Sequence, residues 1–100
     1  MHARVSIFEG ANPDQVDEML RQAQEQVFPS ARQMEGFKGL IALGDRQSGT
    51  VLGVTLWESE EAMRESEQEA DRLREESAEA SNQEIADVER YEVALFEVSD

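Results

Sequence analysis

The chain has 100 residues, a hydrophobic share of 39% and a formal net charge of −14, which bounds it to one small domain over residues 1–100 with a lean core. With no cysteine, disulfides, thiolate metal sites and cysteine nucleophiles are excluded. The charge makes nucleic acid and anionic membranes poor partners, and no apolar run approaches the roughly 20 residues that span a bilayer, so the expected location is the cytoplasm.

Residues 3–9 alternate weakly through Val5, Ile7 and Phe8 and predict a first strand. Asn12 is a good N-cap, Pro13 suits the first helical position, and Gln15 stands where a capping box places Glu or Gln. Val16, Met19, Leu20, Ala23, Val27, Ala31 and Met34 follow at helical spacing, predicting a first helix over roughly 13–34. Pro29 lies inside it and should kink it or restart it as a final turn. Gly36 reads as the residue that ends it.

Phe37 to Leu43 reads as the second strand, and the polar stretch Gly44 to Gly49 as a hairpin turn. Thr50 to Trp57 is the clearest strand. Ser59 caps a second helix whose first turn carries Glu60 and Glu61. Ala62, Met63, Ser66, Ala70, Leu73 and Ser77 line one face of it, so a helix of small residues must lie close to what it covers. Ser81-Asn82 reads as its break, and Val88 to Val98 as a long fourth strand.

This order, βαββαβ, predicts an α+β, ferredoxin-like fold: a four-stranded antiparallel sheet with two helices on one face. Alternation places Leu52, Val54 and Leu56 opposite Val51, Thr55 and Trp57. In the second strand Phe37, Ile41 and Leu43 oppose Leu40 and Ala42. In the fourth, Tyr91, Val93 and Leu95 oppose Ala94, Phe96 and Val98. Both faces read as apolar, and two helices cover only one. A second copy, packed sheet to sheet in a homodimer, is the economical cover for the other.

Chemical signatures are few. There is no phosphate-binding glycine loop, and His2 is the sole histidine, so no pair of metal-ligating histidines exists; neither a metal nor a cofactor is expected. Segment 58–79 carries ten acids and three arginines. A solvated outer face explains it, and a docking face for a basic partner is the alternative. Lys38 is the only lysine against eight arginines; codon bias explains this, and salt adaptation would explain the charge. Trp57, the only tryptophan, ends the third strand. Packing against its neighbours explains it, while a pocket between sheet and helices would use it as a wall. Phe37, Met63 and Tyr91 are the other candidates for lining such a pocket.

Gly36-Phe37 after a proline-containing helix, the hairpin through Asp45 and Gly49, the run Leu56-Trp57-Glu58-Ser59-Glu60-Glu61-Ala62, and the placement of Tyr91-Glu92-Val93 together resemble the antibiotic biosynthesis monooxygenase family, of the dimeric α/β-barrel group. The resemblance implies a homodimer and a small-molecule pocket under the helices. Some members oxidise aromatics without a cofactor and others degrade haem. The haem-degrading members carry a second tryptophan and a haem-ligating histidine on the helix that here reads Ala62 to Ala70 and has neither, so haem degradation is not expected. The expected function is that of a small-molecule-binding protein and cofactor-free oxygenase of an aromatic; the alternative is a non-catalytic dimeric ligand-binding or structural module. No catalytic residue can be assigned from the sequence.

Overall fold

The computed structural model describes residues 1–10, 12–80 and 83–99, so the break expected at Ser81-Asn82 lies outside the described residues. Four strands form: β1 (His2–Glu9), β2 (Phe37–Asp45), β3 (Thr50–Trp57) and β4 (Glu84–Glu92). They make one antiparallel sheet in the order β2-β3-β1-β4. The helices cover one face of it, giving the ferredoxin-like α+β arrangement expected from the sequence.

The first helix begins as its cap residues dictate. Asn12 Oδ1 accepts from Gln15 N and Gln15 Oε1 accepts from Asn12 N, closing a capping box ahead of α1 (Pro13–Gln22). The helix does not run on to residue 34. A π-helical turn, Ala23–Val27, is followed by the short α2 (Phe28–Ala31). Pro29 is the cause: it has no N–H for Glu25 O, and the wider turn before it gives its ring room. Gln33 N and Met34 N then bond to Ser30 O and Ala31 O, closing the helix early. Gly36 belongs instead to the turn into β2. Its φ is +81°, and a Cβ there would lie 2.5 Å from Ala62 Cβ, so glycine is required twice over.

The second helical segment is split into α3 (Glu60–Glu65) and α4 (Glu67–Ala80) at Ser66. Ser59 Oγ caps α3 by accepting from Ala62 N. Glu60 pairs with Arg64 and Arg72 with Glu76, as the spacing predicts, on an exposed face where such pairs contribute little.

Cross-strand partners share a face, so the register defines both surfaces of the sheet. On the helix side, Phe8 and Val51 pack with Val16 and Met19 of α1 and Ala78 of α4 to form a core cluster. On the outer side, Ile41, Val54 and Val5 form one row and Leu43, Leu52 and Ile7 another. Two expectations are corrected here. A β-bulge between Phe37 and Gly39 shifts the alternation, so Phe37 stands opposite Trp57 and joins Leu40 and Ala42 on the helix side, away from Ile41 and Leu43. The fourth strand starts and stops earlier than 88–98, because it pairs along the whole of β1, from Glu84 opposite Glu9 to Glu92 opposite His2. Beyond it only Val93 N bonds back, to Met1 O, and Leu95, Phe96 and Val98 are exposed in the terminal segment. The outer face of β4 is therefore Asp87, Glu89 and Tyr91, acidic and not apolar.

Arg4 points from central strand β1 into the helix layer with a relative exposure of 2%. Its Nη2 donates to Met63 O at 2.6 Å and Ser66 Oγ at 2.8 Å, and lies 3.1 Å from Glu67 Oε1. Glu67 also takes Arg90 in a two-point contact at 2.7 and 2.8 Å. Burial pulls Arg4 below its ordinary value and Glu67 opposes the shift. The hydrogen bonds from Arg90, then the charge of Arg4, hold the Glu67 carboxyl down at about 2, from 4.5. A carboxyl depressed in the folded state contributes stability above its unfolded value that is lost as pH falls toward the folded one. Glu67→Gln should therefore cost on the order of 2–3 kcal/mol at neutral pH. The gap between wild type and variant should close as urea titrations move from about pH 5 toward pH 2; a gap that stays constant would remove the carboxylate from this role.

Candidate functional site

The helix layer does not fill the space above the sheet. Ser6, Leu40, Ala42, Gly53, Thr55 and Trp57 form the floor of a cavity of about 80 Å³ that opens to solvent on one side. Met19, Ala23, Val27 and Met34 close one side. The other is α4, through Ala70, Leu73, Arg74 and Ser77. Small side chains make the room: Ala42, Gly53, Ala23 and Ala70 stand where larger residues would fill it. The π-helical turn supplies Ala23 and Val27, so the distortion forced by Pro29 sits in the cavity wall.

Trp57 ends the floor and is 1% exposed. Its Nε1 donates to Thr55 Oγ1 at 2.9 Å, within the same strand face. Phe37 meets its ring edge-on at 5.4 Å, and Phe28 continues the stack against Phe37 at 6.0 Å. The Arg4 guanidinium lies 5.4 Å from the centre of the indole ring, a cation–π contact in a desolvated place. One ring thus belongs both to the packing and to the cavity wall.

The other candidates are not gathered around it. Phe37 supports Trp57 from outside the lining. Met63 is buried at 2% and contributes its carbonyl to Arg4. Tyr91, opposite Ala3, stands on the outer face of the sheet at 52% exposure and cannot reach the cavity. Sequence reasoning missed Arg4, Ser6 and Arg74. Arg4 and Ser6 share the parity of Phe8 in β1, a signal that the helix-facing side of that strand is polar. Arg74 follows Leu73 on the helix and looked like one more surface charge.

The lining is apolar apart from Arg4, Ser6, Thr55, Arg74 and Ser77. Arg74, its side chain 8% exposed, donates from Nη1 to Ser6 Oγ at 3.3 Å and pairs through Nη2 with Asp71. No carboxylate or histidine lines the cavity among the described residues, nor do three or more metal-ligating side chains converge among them.

A family model described as "Antibiotic biosynthesis monooxygenase" matches residues 1–75. Two proteins of Mycobacterium tuberculosis, described as uncharacterised, are each 36% identical over 66 residues, which is 66% of this chain. The match spans only 28% of their length. Among solved structures, a monooxygenase from the ActVA-Orf6 gene of Streptomyces coelicolor, in complex with the ligand nanaomycin D, superposes with a TM-score of 0.71 at 18% identity over 98% of this chain and 92% of that one. The cofactor-independent oxygenase SnoaB of Streptomyces nogalater superposes with a TM-score of 0.63 at 15% identity, over 95% and 94% of the two chains. These two likenesses establish a shared fold.

Trp57→Phe removes the donor to Thr55 and the wider ring over Arg4. It should cost about 2 kcal/mol in chemical denaturation. A cost below about 0.5 kcal/mol, the scale of an ordinary surface substitution, would show that the indole is not held by these contacts.

Proposed function

The chain belongs to the antibiotic biosynthesis monooxygenase family, and from that premise we propose that it is a homodimeric small-molecule-binding protein that oxygenates an electron-rich aromatic without a cofactor. The observation that carries this reading is the largely apolar cavity walled by Trp57. It is lined by small side chains, opens to solvent on one side and is partly shut off from water by the helix layer. The fold it shares with two oxygenases supports the reaction class.

In such a reaction the substrate anion itself gives electrons to dioxygen. A phenol and one O2 become a quinone and one water: one oxygen atom stays on the ring, the other leaves with the phenol's two hydrogens. The protein contributes orientation, a dry cavity and charge opposite the anion. Arg4 and Arg74 are the charged groups in the wall, and they would favour ionisation of the substrate. The lack of a carboxylate or histidine among the described lining residues supports a second reading, a module that binds its ligand without turning it over. An oxygen electrode separates the two. Oxygen uptake with a hydroxylated polycyclic aromatic, with no added cofactor and abolished by Trp57→Ala, is expected. Binding without uptake across a panel of such compounds would leave the second reading.

The dimer is supported by the outer face, where Ile41 and Leu43 are 39% and 49% exposed beside Val5, Ile7, Leu52 and Val54. Sheet-to-sheet packing of two copies buries these rows and gives the dimeric barrel. Light scattering coupled to size exclusion should report about twice the 11.3 kDa chain mass. Leu43→Glu should weaken association about tenfold or more. A stable monomer in the parent protein would reject the arrangement.

A further inference from the structure

The charge inside this protein runs against the charge outside it. The chain carries −14 overall, yet the charged side chains that line the cavity among the described residues are two arginines and no acid. Around them, Arg4, Arg74 and Arg90 pair with two carboxylates among the described residues, Glu67 and Asp71. One carboxylate, Glu67, is shared between Arg4 and Arg90. This group therefore holds one positive charge in excess.

The guanidiniums differ in how fully they are used. Arg4 spends Nη2 on Met63, Ser66 and Glu67, while its buried Nε has no hydrogen-bond partner. Arg74 is paired on its solvent side with Asp71, whose side chain is 58% exposed and accessible to water. Its inner nitrogen has only the long contact of 3.3 Å to Ser6 Oγ. A hydroxyl that accepts from an arginine can still donate its own proton. Arg74 Nη1 and Ser6 Oγ are thus two adjacent donors in the wall of a largely apolar cavity, which is the pattern that a planar anionic oxygen pair satisfies. A neutral aromatic would leave both donors desolvated and poorly used.

We propose that the cavity is a site for an aromatic carboxylate, its carboxyl group held by Arg74 and Ser6 in front of Arg4 and its ring lying along the floor toward Trp57. The proposal deepens the reading of the cavity as a small-molecule pocket and rests on it. It names the substrate class, an aromatic acid, and makes Arg74 and Ser6 the residues that select it.

The test is a titration of the intact protein with 2-naphthoate and 2-naphthamide, which share ring and shape and differ in charge. Quenching of Trp57, the only tryptophan, reads binding at the floor. The acid should bind about tenfold or more tighter than the amide, as expected for charge-assisted hydrogen bonds. Arg74→Gln should bring the two affinities together, Arg74→Lys should keep part of the preference, and Ser6→Ala should lower it. Equal binding of acid and amide by the parent protein overturns the proposal while leaving an aromatic pocket in place. A preference that survives both Arg74→Gln and Ser6→Ala overturns it too, because the charge is then read elsewhere. No quenching by either compound overturns the pocket reading and the proposal with it.

Discussion

Arginine does not lose its proton in a protein, so a buried one obliges its surroundings to supply acceptors. Arg4 stands in the middle of the central strand with apolar neighbours on both sides of it in the chain. Leaving its charge unpaired there would cost several kcal/mol. The helix layer is arranged around that demand. In an unbroken helix Met63 O would accept from Glu67 N; it accepts from Arg4 Nη2 and from Ser66 Oγ instead. The helix breaks at Ser66, and α4 starts at the residue whose carboxylate neutralises Arg4. The direction in which α4 leaves, and hence the placement of Leu73, Arg74 and Ser77 over the sheet, follows from how this one side chain is satisfied.

The cavity is the second consequence. A helix held at its start by a polar anchor, and lined with alanine and serine, need not press a large apolar surface against the strands. On the opposite side Pro29 has already forced a wider turn into the first helix. Two departures from regular helix geometry flank the same space, and the floor beneath it has small residues at Ala42 and Gly53. Trp57 is the exception, held on three sides by Thr55, Phe37 and Arg4. The empty volume arises because both elements that could fill it are kept from packing closely.

Much of this was legible in the residues. Element order followed from the Asn12–Gln15 box, the Ser59 cap, the glycine hairpin and the alternation in Thr50 to Trp57. The fold followed from that order, and the family from the resemblance carried by Gly36-Phe37, the hairpin through Asp45 and Gly49, and the run Leu56 to Ala62. What was not legible depended on partners distant in sequence. The bulge at Phe37 changes which face that ring takes, and only the register against Trp57 reveals it. Leu95, Phe96 and Val98 alternate as a strand should, but the ladder stops when β1 runs out of partners, and the less apolar segment Glu84 to Glu92 pairs instead. An edge strand tolerates charges that a central strand does not, so its composition resembled a loop. Arg4 was hidden for the opposite reason: a central position occupied by a charge contradicts the hydrophobic pattern. Such a local contradiction is where functional or strained sites are found.

The two faces of the sheet then differ in kind. Toward the helices, two cross-strand rows mix apolar and polar residues: Leu40, Thr55, Arg4 and Arg90 lie in one, Ala42, Gly53, Ser6 and Val88 in the next. Away from the helices the rows are apolar across β2, β3 and β1 and end in Glu89 and Asp87 on β4. The acids at that edge resist a flush second layer over β4, since two copies would bring like charges together out of water. The proposed two-fold partner would centre on the three apolar strands and leave the β4 edge open to solvent. That edge also carries Arg90, on its helix-facing side, where it helps hold Glu67 against Arg4. One strand thus presents acids outward with one set of alternating side chains and completes the inner charge network with the other.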